Sequence, residues 1–422
     1  MSLLIVHRNP FEPFPYARWL AGYDGPVVAI AHRHRIESVG EEVPTDNLGL
    51  TYLEIMDRFD DELVIKRSLE LATEYATTRI IAHHEADVQS AAWLREHLGL
   101  PGAWTADVLP FRDKALMKKL VSAAGVEVAA HVLPTTAGQA RAFVTEHGFP
   151  VVFKDRAGYN AIGLRILRDH AALADHLAHV YADGPREDVL LEKFVPGRMC
   201  HVDGLVSGGR TVLVWPSQYQ YDLASFGTDP GARIDLTLDP DDPLTDRLLR
   251  MTDQILAALK PAGSRLTDHG FHAEIFHTPD DRLVLCEIAC RPAGAKLREV
   301  FHTMFGVNLG DYTTRAQAGL PMPALADTLA GGPPPRPRQM SGQLLMMKRP
   351  GLVRSVPTTP EDPWIKHFWV YARPGQVIPP AAGSSDFLTC VVGSAPTRAE
   401  CHARLRELGD RFVAQVEIVE EP

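Results

Sequence analysis

The chain has 422 residues, too many for one compact α/β core, so two or three domains are expected. Apolar residues supply 45% and charged residues 23%, the balance of an ordinary globular protein rather than a disordered or fibrous one. No run approaches the roughly 20 apolar residues of a membrane span, residues 1–10 lack the layout of a signal peptide, and a net charge of −10 disfavours a nucleic-acid-coating role without excluding a local basic pocket.

In chain order, apolar runs at residues 3–6 and 27–30 predict buried strands, and the spacing of Leu63, Ile65, Leu69 and Leu71 predicts a helix within 60–77. A strand at 79–82 and a helix over 87–98, closed by Gly99, complete a small open α/β domain over residues 1–105. Asp113 is a candidate N-cap for a helix whose apolar stripe is Leu116, Leu120, Val121 and Ala124, with Gly125 at its end. Strands follow at 149–154, 164–167 and 188–195, with a helix over 170–181. Segments 202–206 and 211–215 flank Ser207-Gly208-Gly209-Arg210, a hairpin turn signal. Residues 218–243 read as a long polar loop, then come a helix over 248–259 and a second hairpin over 270–290. The Pro-rich stretch 331–338 marks a connector to a last segment of strands and a helix over 397–413. The expected domains are 1–105, 106–190, 191–330 and 331–422.

The second hairpin carries the most chemistry. Pro279, Asp280 and Asp281 between two apolar runs form a turn signal. A turn centred between Asp280 and Asp281 makes pairing positions sum to 561, and Glu274 with Glu287 satisfies that sum. The two carboxylates would then face each other with Cβ atoms roughly 4.5–5.5 Å apart, a repulsive arrangement unless a cation lies between them. Hard oxygen ligands of this kind suit Mg²⁺ together with substrate phosphates. Arg291, four positions further on, could set a guanidinium beside the same phosphates. The alternative reading is a solvated sheet face, and an odd-length loop would shift the register and part the pair.

Lys supplies only 10 of the 43 cationic residues, so a Lys within a patterned segment is informative. Lys154 ends an apolar strand and precedes a loop, 155–163, that contains Gly158 and Gly163; ammonium and backbone N–H groups there could surround phosphate oxygens, although a solvated strand-end Lys has the same local pattern. Lys114, at the start of the Asp113 helix, could reach the same anion or simply pair along its helix, and Lys118 and Lys119 read as surface. The segment Glu192-Lys193-Phe194-Val195-Pro196-Gly197 leaves a strand in a way that can offer backbone N–H and C=O groups to an adenine edge.

Taken in order, these pieces resemble the ATP-grasp superfamily, most of all its carboxylate–amine ligases, including amino-acid (dipeptide) ligases; the resemblance spans about residues 99–320. It implies an α/β and α+β multidomain ATP-grasp fold with an N-terminal pre-ATP-grasp α/β domain and a C-terminal appendage. It further implies that Lys114 and Lys154 hold ATP phosphates, that Glu192 accepts from the adenine amino group beside Lys193, Phe194 and Val195, and that the loop with Gly158 closes as a lid. Glu274 and Glu287 would ligate two Mg²⁺, with Mn²⁺ as a substitute, while Arg291 and Lys154 act on the group being activated. Three departures stand out: Met199 replaces a ribose-binding acid, for which Asp203 is the nearby substitute; Ala289 replaces an Asn ligand; and Tyr159-Asn160 replaces small residues in the phosphate loop.

The implied reaction is ADP-forming joining of a small-molecule carboxylate to an amine through an acyl phosphate, with no nucleic-acid or membrane partner; a homodimer is plausible for the class but has no sequence signature. Alternatives are a carboxylase-type enzyme activating bicarbonate and a non-catalytic ATP-binding module. Five Cys, an odd number over a long chain, read as reduced thiols in the cytoplasm. His32, His34, His83 and His84 lack ligands at zinc spacing, Cys286 and Cys290 read as packing residues, and no Gly-x-Ser-x-Gly or His-Glu-x-x-His motif occurs.

Overall fold

A computed structural model describes residues 1–222, 225 and 231–419. The N-terminal strands β1 (Ser2–His7), β2 (Val27–His32), β3 (Tyr52–Met56) and β4 (Thr77–Ala82) form a parallel sheet in the order β3-β2-β1-β4. Strand β1 lies at its centre and is buried throughout, which is why its unbroken apolar run was diagnostic. Strand β3 has no such run: it is the edge strand, half-buried at every position, and tolerates Glu54. Asp60 caps the helix Asp61–Glu74 by accepting the Leu63 N–H, and Gly99, at φ +65, ends the turn after helix Val88–His97.

The second sheet is small and antiparallel, from β5 (His131–Val132), β6 (Val151–Asp155), β7 (Arg165–Leu167) and β8 (Val189–Lys193), in the order β5-β8-β6-β7. Helices Ala137–His147 and His170–Val180 cover one face around Phe143, Phe153 and Leu177. Strand β8 crosses the expected boundary at residue 190, so this unit extends past it. Helix Lys114–Ala123, expected in the same unit, packs instead into the core of the large sheet through Met117 and Val121.

That large sheet has eight antiparallel strands: β9 (Arg198–Ser207), β10 (Arg210–Tyr219), β11 (Arg233–Thr237), β12 (His269–His277), β13 (Leu283–Ala289), β14 (Met340–Met347), β16 (Ile365–Val370) and β18 (Phe387–Ala395). Their order is β13-β12-β9-β10-β11-β14-β18-β16, so the segment after residue 331 attaches by adding β14, β18 and β16 to one end of this sheet. Strand β14 pairs with β11 and carries the same sheet onward, while helix Arg398–Gln415 buries Leu405, Leu408 and Phe412 against it. A fourth sheet of β15 (Gly351–Ser355), β17 (Val377–Ile378) and β19 (Glu417–Val419) closes the end. The β9–β10 turn has Gly208 and Gly209 at φ +57 and +76, as the doubled glycine implied.

The long polar loop expected over 218–243 is shorter than that: Gln218 and Tyr219 end β10, and β11 occupies 233–237. Residues 223–224 and 226–230 of it lie outside the described residues. The following helix runs Pro243–Leu259, five residues longer at its start than expected, because Asp242 caps it and Pro243 supplies a pre-set first position. Among the described residues, no helix is long and apolar enough to cross a membrane.

Candidate active site

A cavity of about 530 Å³ lies between the small sheet, the hairpin β12–β13 and the carboxyl edge of the N-terminal sheet. The hairpin delivers its carboxylates by a route that the turn alone does not give. Pairs His277↔Leu283, Phe276↔Val284 and Ile275↔Leu285 sum to 560, set by a five-residue turn in which Asp281 takes φ +61 and Thr278 accepts the Arg282 N–H. A bulge then absorbs one residue, Cys286, and from Glu274↔Glu287 onward the sum is 561. The two glutamates are thus directly opposed, as the sequence led us to expect, even though the loop is odd.

Lys114, Lys118 and Lys154 converge on this pair and on Glu192. Asp113 accepts the Ala115 and Leu116 N–H groups and anchors the first turn of helix Lys114–Ala123. Lys114 Nζ stands 3.1 Å from Glu287 Oε2 and donates to the Gly158 carbonyl at 2.5 Å. Lys118 is fully buried, contrary to its surface reading; its Nζ donates to the Cys286 carbonyl at 3.1 Å and lies 2.8 Å from Glu192 Oε1. Lys119 is exposed as expected. Lys154 Nζ lies 2.7 Å from Glu192 Oε2. Burial alone would raise the Glu192 pKa, but Lys118 and Lys154 pull it down to about 2, and in the same way Lys114 and Lys154 hold Glu287 at about 2 against its burial. The contact of Glu192 Oε1 with Lys118 falls outside hydrogen-bond geometry, so this buried oxygen keeps an unfilled acceptor site.

Lys193, Phe194 and Val195 line the cavity beside Glu192. The Lys193 and Phe194 N–H groups go to the Ala130 and Pro150 carbonyls at 2.9 and 3.2 Å, so neither is free to donate to an adenine edge. Gly158 also lines the cavity, in a loop drawn down on three sides. Arg112 donates to the Ala157 carbonyl at 2.8 Å, the Tyr159 ring meets His84 edge-on at 5.6 Å, and Asn160 donates to Ser385 Oγ at 3.2 Å.

Arg291 is held from the N-terminal domain. The buried Glu85 carboxylate accepts its Nε–H at 2.6 Å and pairs with Arg112 through the other oxygen. Glu85 was missed in the sequence because nothing local marks it; the available signal was its place just past the carboxyl end of β4, where open parallel sheets present ligand-contacting residues.

Asp203 does not reach the cavity, which corrects its ribose-binding expectation. It is fully buried under the sheet; Oδ2 lies 2.5 Å from His201 Nδ1 and Oδ1 lies 2.8 Å from His272 Nδ1. His201 Nε2 in turn lies 3.0 Å from Asp235, which accepts from Gln343 at 2.9 Å. His201, Asp203 and His272 are close enough to hold an ion, yet the ring nitrogens facing Asp203 are satisfied by that carboxylate, so the cluster is a buried ion-pair chain. Burial would lower the pKa of His201, but Asp235 and Asp203 hold it well above its ordinary value. His272 faces Ala289 across the ladder and lines the cavity, with Nε2 3.5 Å from Glu274 Oε1, so an imidazole lies opposite the position where an amide ligand was expected.

Comparison with known proteins shows what the chain and its fold are similar to. Residues 113–203 match the model of the carbamoyl-phosphate synthase L chain, ATP binding domain. The L-arginine-specific L-amino acid ligase of Bacillus subtilis is 23% identical over 265 residues, 60% of this chain and 61% of that protein, so the match spans less than two thirds of that relative. The crystal structure of an L-amino acid ligase from Bacillus licheniformis superposes with a TM-score of 0.75 at 17% identity, covering 100% of this chain and 99% of that one. The biotin carboxylase domain of Hydrogenobacter thermophilus 2-oxoglutarate carboxylase, solved with MgADP, ADP and bicarbonate, gives a TM-score of 0.69 at 18% identity over 99% and 90% of the two chains. The class of fold is therefore defined: the chain has an ATP-grasp fold. Within that class its likeness extends to an amino-acid ligase in sequence and to both ligases and carboxylases in fold.

Proposed function

We propose that the chain is an ADP-forming ligase that activates a small carboxylate, an amino acid or a related acid, and joins it to an amine. The observation that carries this reading is the opposed pair Glu274 and Glu287 among Lys114, Lys118, Lys154 and Arg291 in one cavity. The donor set fits Mg²⁺: two hard carboxylates in register, one of them, Glu274, with no lysine or arginine paired to it among the described residues. Glu274 and Glu287 would hold two Mg²⁺, or Mn²⁺ in their place, whose positive charge would offset that of the phosphates.

The chain's own residues do the rest. Lys114 and Lys154 neutralise the phosphates, and Lys118 holds Glu192 in place; the unfilled Oε1 of Glu192 is suited to accept from an adenine amino group while Val195 meets the ring edge. Arg291, oriented by Glu85, faces the carboxylate that attacks the γ-phosphorus. A carboxylate oxide is a poor leaving group; attack of the carboxylate on the γ-phosphorus expels ADP and gives an acyl phosphate, and an amine then attacks its acyl carbon, expelling phosphate and losing a proton to leave the amide. The loop around Gly158, tied down at Ala157, Gly158 and Asn160, keeps water from that intermediate. Five free cysteines suit a reducing compartment, the basis for placing the protein in the cytoplasm.

The test is ADP release from ATP and Mg²⁺ with amino acids singly and in pairs, with mass detection of the amide. Glu287→Ala and Lys154→Ala are expected to lower turnover by at least a hundredfold, since each removes a group aimed at transition-state charge, while the far-UV spectrum is unchanged. Near-normal turnover in Glu287→Ala would remove the metal assignment. The fold likeness to a carboxylase solved with bicarbonate favours a second reading, activation of bicarbonate, which ADP release dependent on bicarbonate and not on amino acids would select.

A further inference from the structure

Beyond the metal carboxylates and Arg291, the cavity continues into a part built differently from its centre. Ala295 and Leu297 follow Arg291 along the chain, Leu345 lies on β14 and Phe387 opens β18, and all four side chains line the cavity. Leu345 and Phe387 belong to one apolar cluster with Met347 and Cys390, and Ala295 packs against it. This wall is firmly held. Gln343, two residues before Leu345, accepts the Lys296 N–H at 3.0 Å and donates to Asp235 at 2.9 Å, and the Lys296 ammonium sits 3.9 Å over the Trp369 ring behind it. Arg233, the cross-strand neighbour of Leu345, is buried and stacks at 4.3 Å on Tyr221, which itself lines the cavity.

We propose that this wall is the side-chain subsite for the acid, and that it selects acids with a neutral, apolar side chain. The proposal rests on the ligase reading and deepens it. With the carboxylate held at Arg291 and the metal pair, the remainder of the acid meets Ala295, Leu297, Leu345 and Phe387. Those four side chains carry no polar atom. A guanidinium, ammonium or second carboxylate placed against them would lose its water without gaining a partner from that wall, whereas a branched or aromatic side chain gains apolar burial. The Bacillus subtilis relative is named for L-arginine, so the inference separates this chain from that protein in specificity.

The experiment is calorimetric binding of L-leucine, L-phenylalanine, L-arginine, L-lysine and L-glutamate to the full chain with Mg²⁺ and a non-hydrolysable ATP analogue, followed by ADP release with ATP. Leucine or phenylalanine is expected to bind at least tenfold more tightly than any of the charged acids. Ala295→Leu, which narrows the pocket, should weaken phenylalanine more than leucine, and Phe387→Ala, which widens it, should do the reverse; two variants on different segments guard against one that fails to fold. Equal or tighter binding of arginine, lysine or glutamate, or no binding by any acid, overturns the proposal. Binding of apolar acids with the expected selectivity but no ADP with any amine sustains the subsite and sinks the ligase reading instead.

Discussion

Glu192 serves two lysines with one carboxylate, and this makes it a sensor of acid stability. Its pKa lies at about 2 against an ordinary 4.5, so the native state holds it ionised more strongly than the unfolded chain does. A depressed carboxylate contributes stability above its unfolded pKa and loses it as pH falls through the window from 4.5 towards 2. The loss across that window is about 3 kcal/mol. Urea unfolding at pH 6, 4 and 3 should show that slope in the wild type and a flatter one in Glu192→Gln, which is less stable throughout because two buried ammonium groups lose their counter-ion. Parallel curves would show that Glu192 is not the titrating group. At this scale the sequence was half legible. Lys114, Lys154, Glu274, Glu287 and Arg291 stood out because a helix start, strand ends and a turn framed them. Lys118 did not, although it stands one helical turn beyond Lys114; its burial is decided by the Cys286 carbonyl and Glu192, which come from distant parts of the chain. Asp203 was misjudged in part for the same reason: His201 is two residues away on its own strand, but His272 comes from a neighbouring strand far along the chain.

The hairpin β12–β13 shows how an element can reach an expected pairing by an unexpected path. Alternation and the Pro279-Asp280-Asp281 turn made the strands legible, and the opposition of Glu274 and Glu287 followed. The odd turn and the bulge at Cys286 did not show, because a bulge is a property of paired strands and leaves no periodic trace in one of them. The amino end of the same hairpin sets Arg291. Gly270 packs so tightly on the segment after β13 that a Cβ placed there would lie 2.7 Å from the Pro292 backbone nitrogen. Gly270→Ala therefore pushes on the residue next to Arg291; it should cost about 1–3 kcal/mol of stability and lower kcat more than it raises the KM for ATP. Steady-state kinetics beside a denaturant titration measure both. An unchanged kcat with full stability would mean that the segment yields freely.

Over the whole molecule, one sheet runs through what the sequence divided into two domains. The Pro-rich stretch 331–338 does mark a connector, but composition cannot tell a linker between domains from a crossover within a sheet, and here the chain returns to pair β14 with β11. A chain ended at residue 330 would leave β11 without that partner and strip helix Arg398–Gln415 from Ile234 and Leu236. Such a truncation should be insoluble or lack a cooperative thermal transition; a soluble, cooperatively melting product would restore the separate-domain view. The N-terminal sheet is tied in just as firmly through Glu85, so the cavity needs all parts of the chain. Glu274 and Glu287 are proposed to hold a divalent ion together against a nucleotide. Electron paramagnetic resonance titration of Mn²⁺ in the presence of ADP reads this directly, with the wild type compared to a Glu274→Gln, Glu287→Gln double variant. Tight nucleotide-dependent Mn²⁺ binding is expected in the wild type, with its loss in the variant. Equal Mn²⁺ binding by both would contradict it.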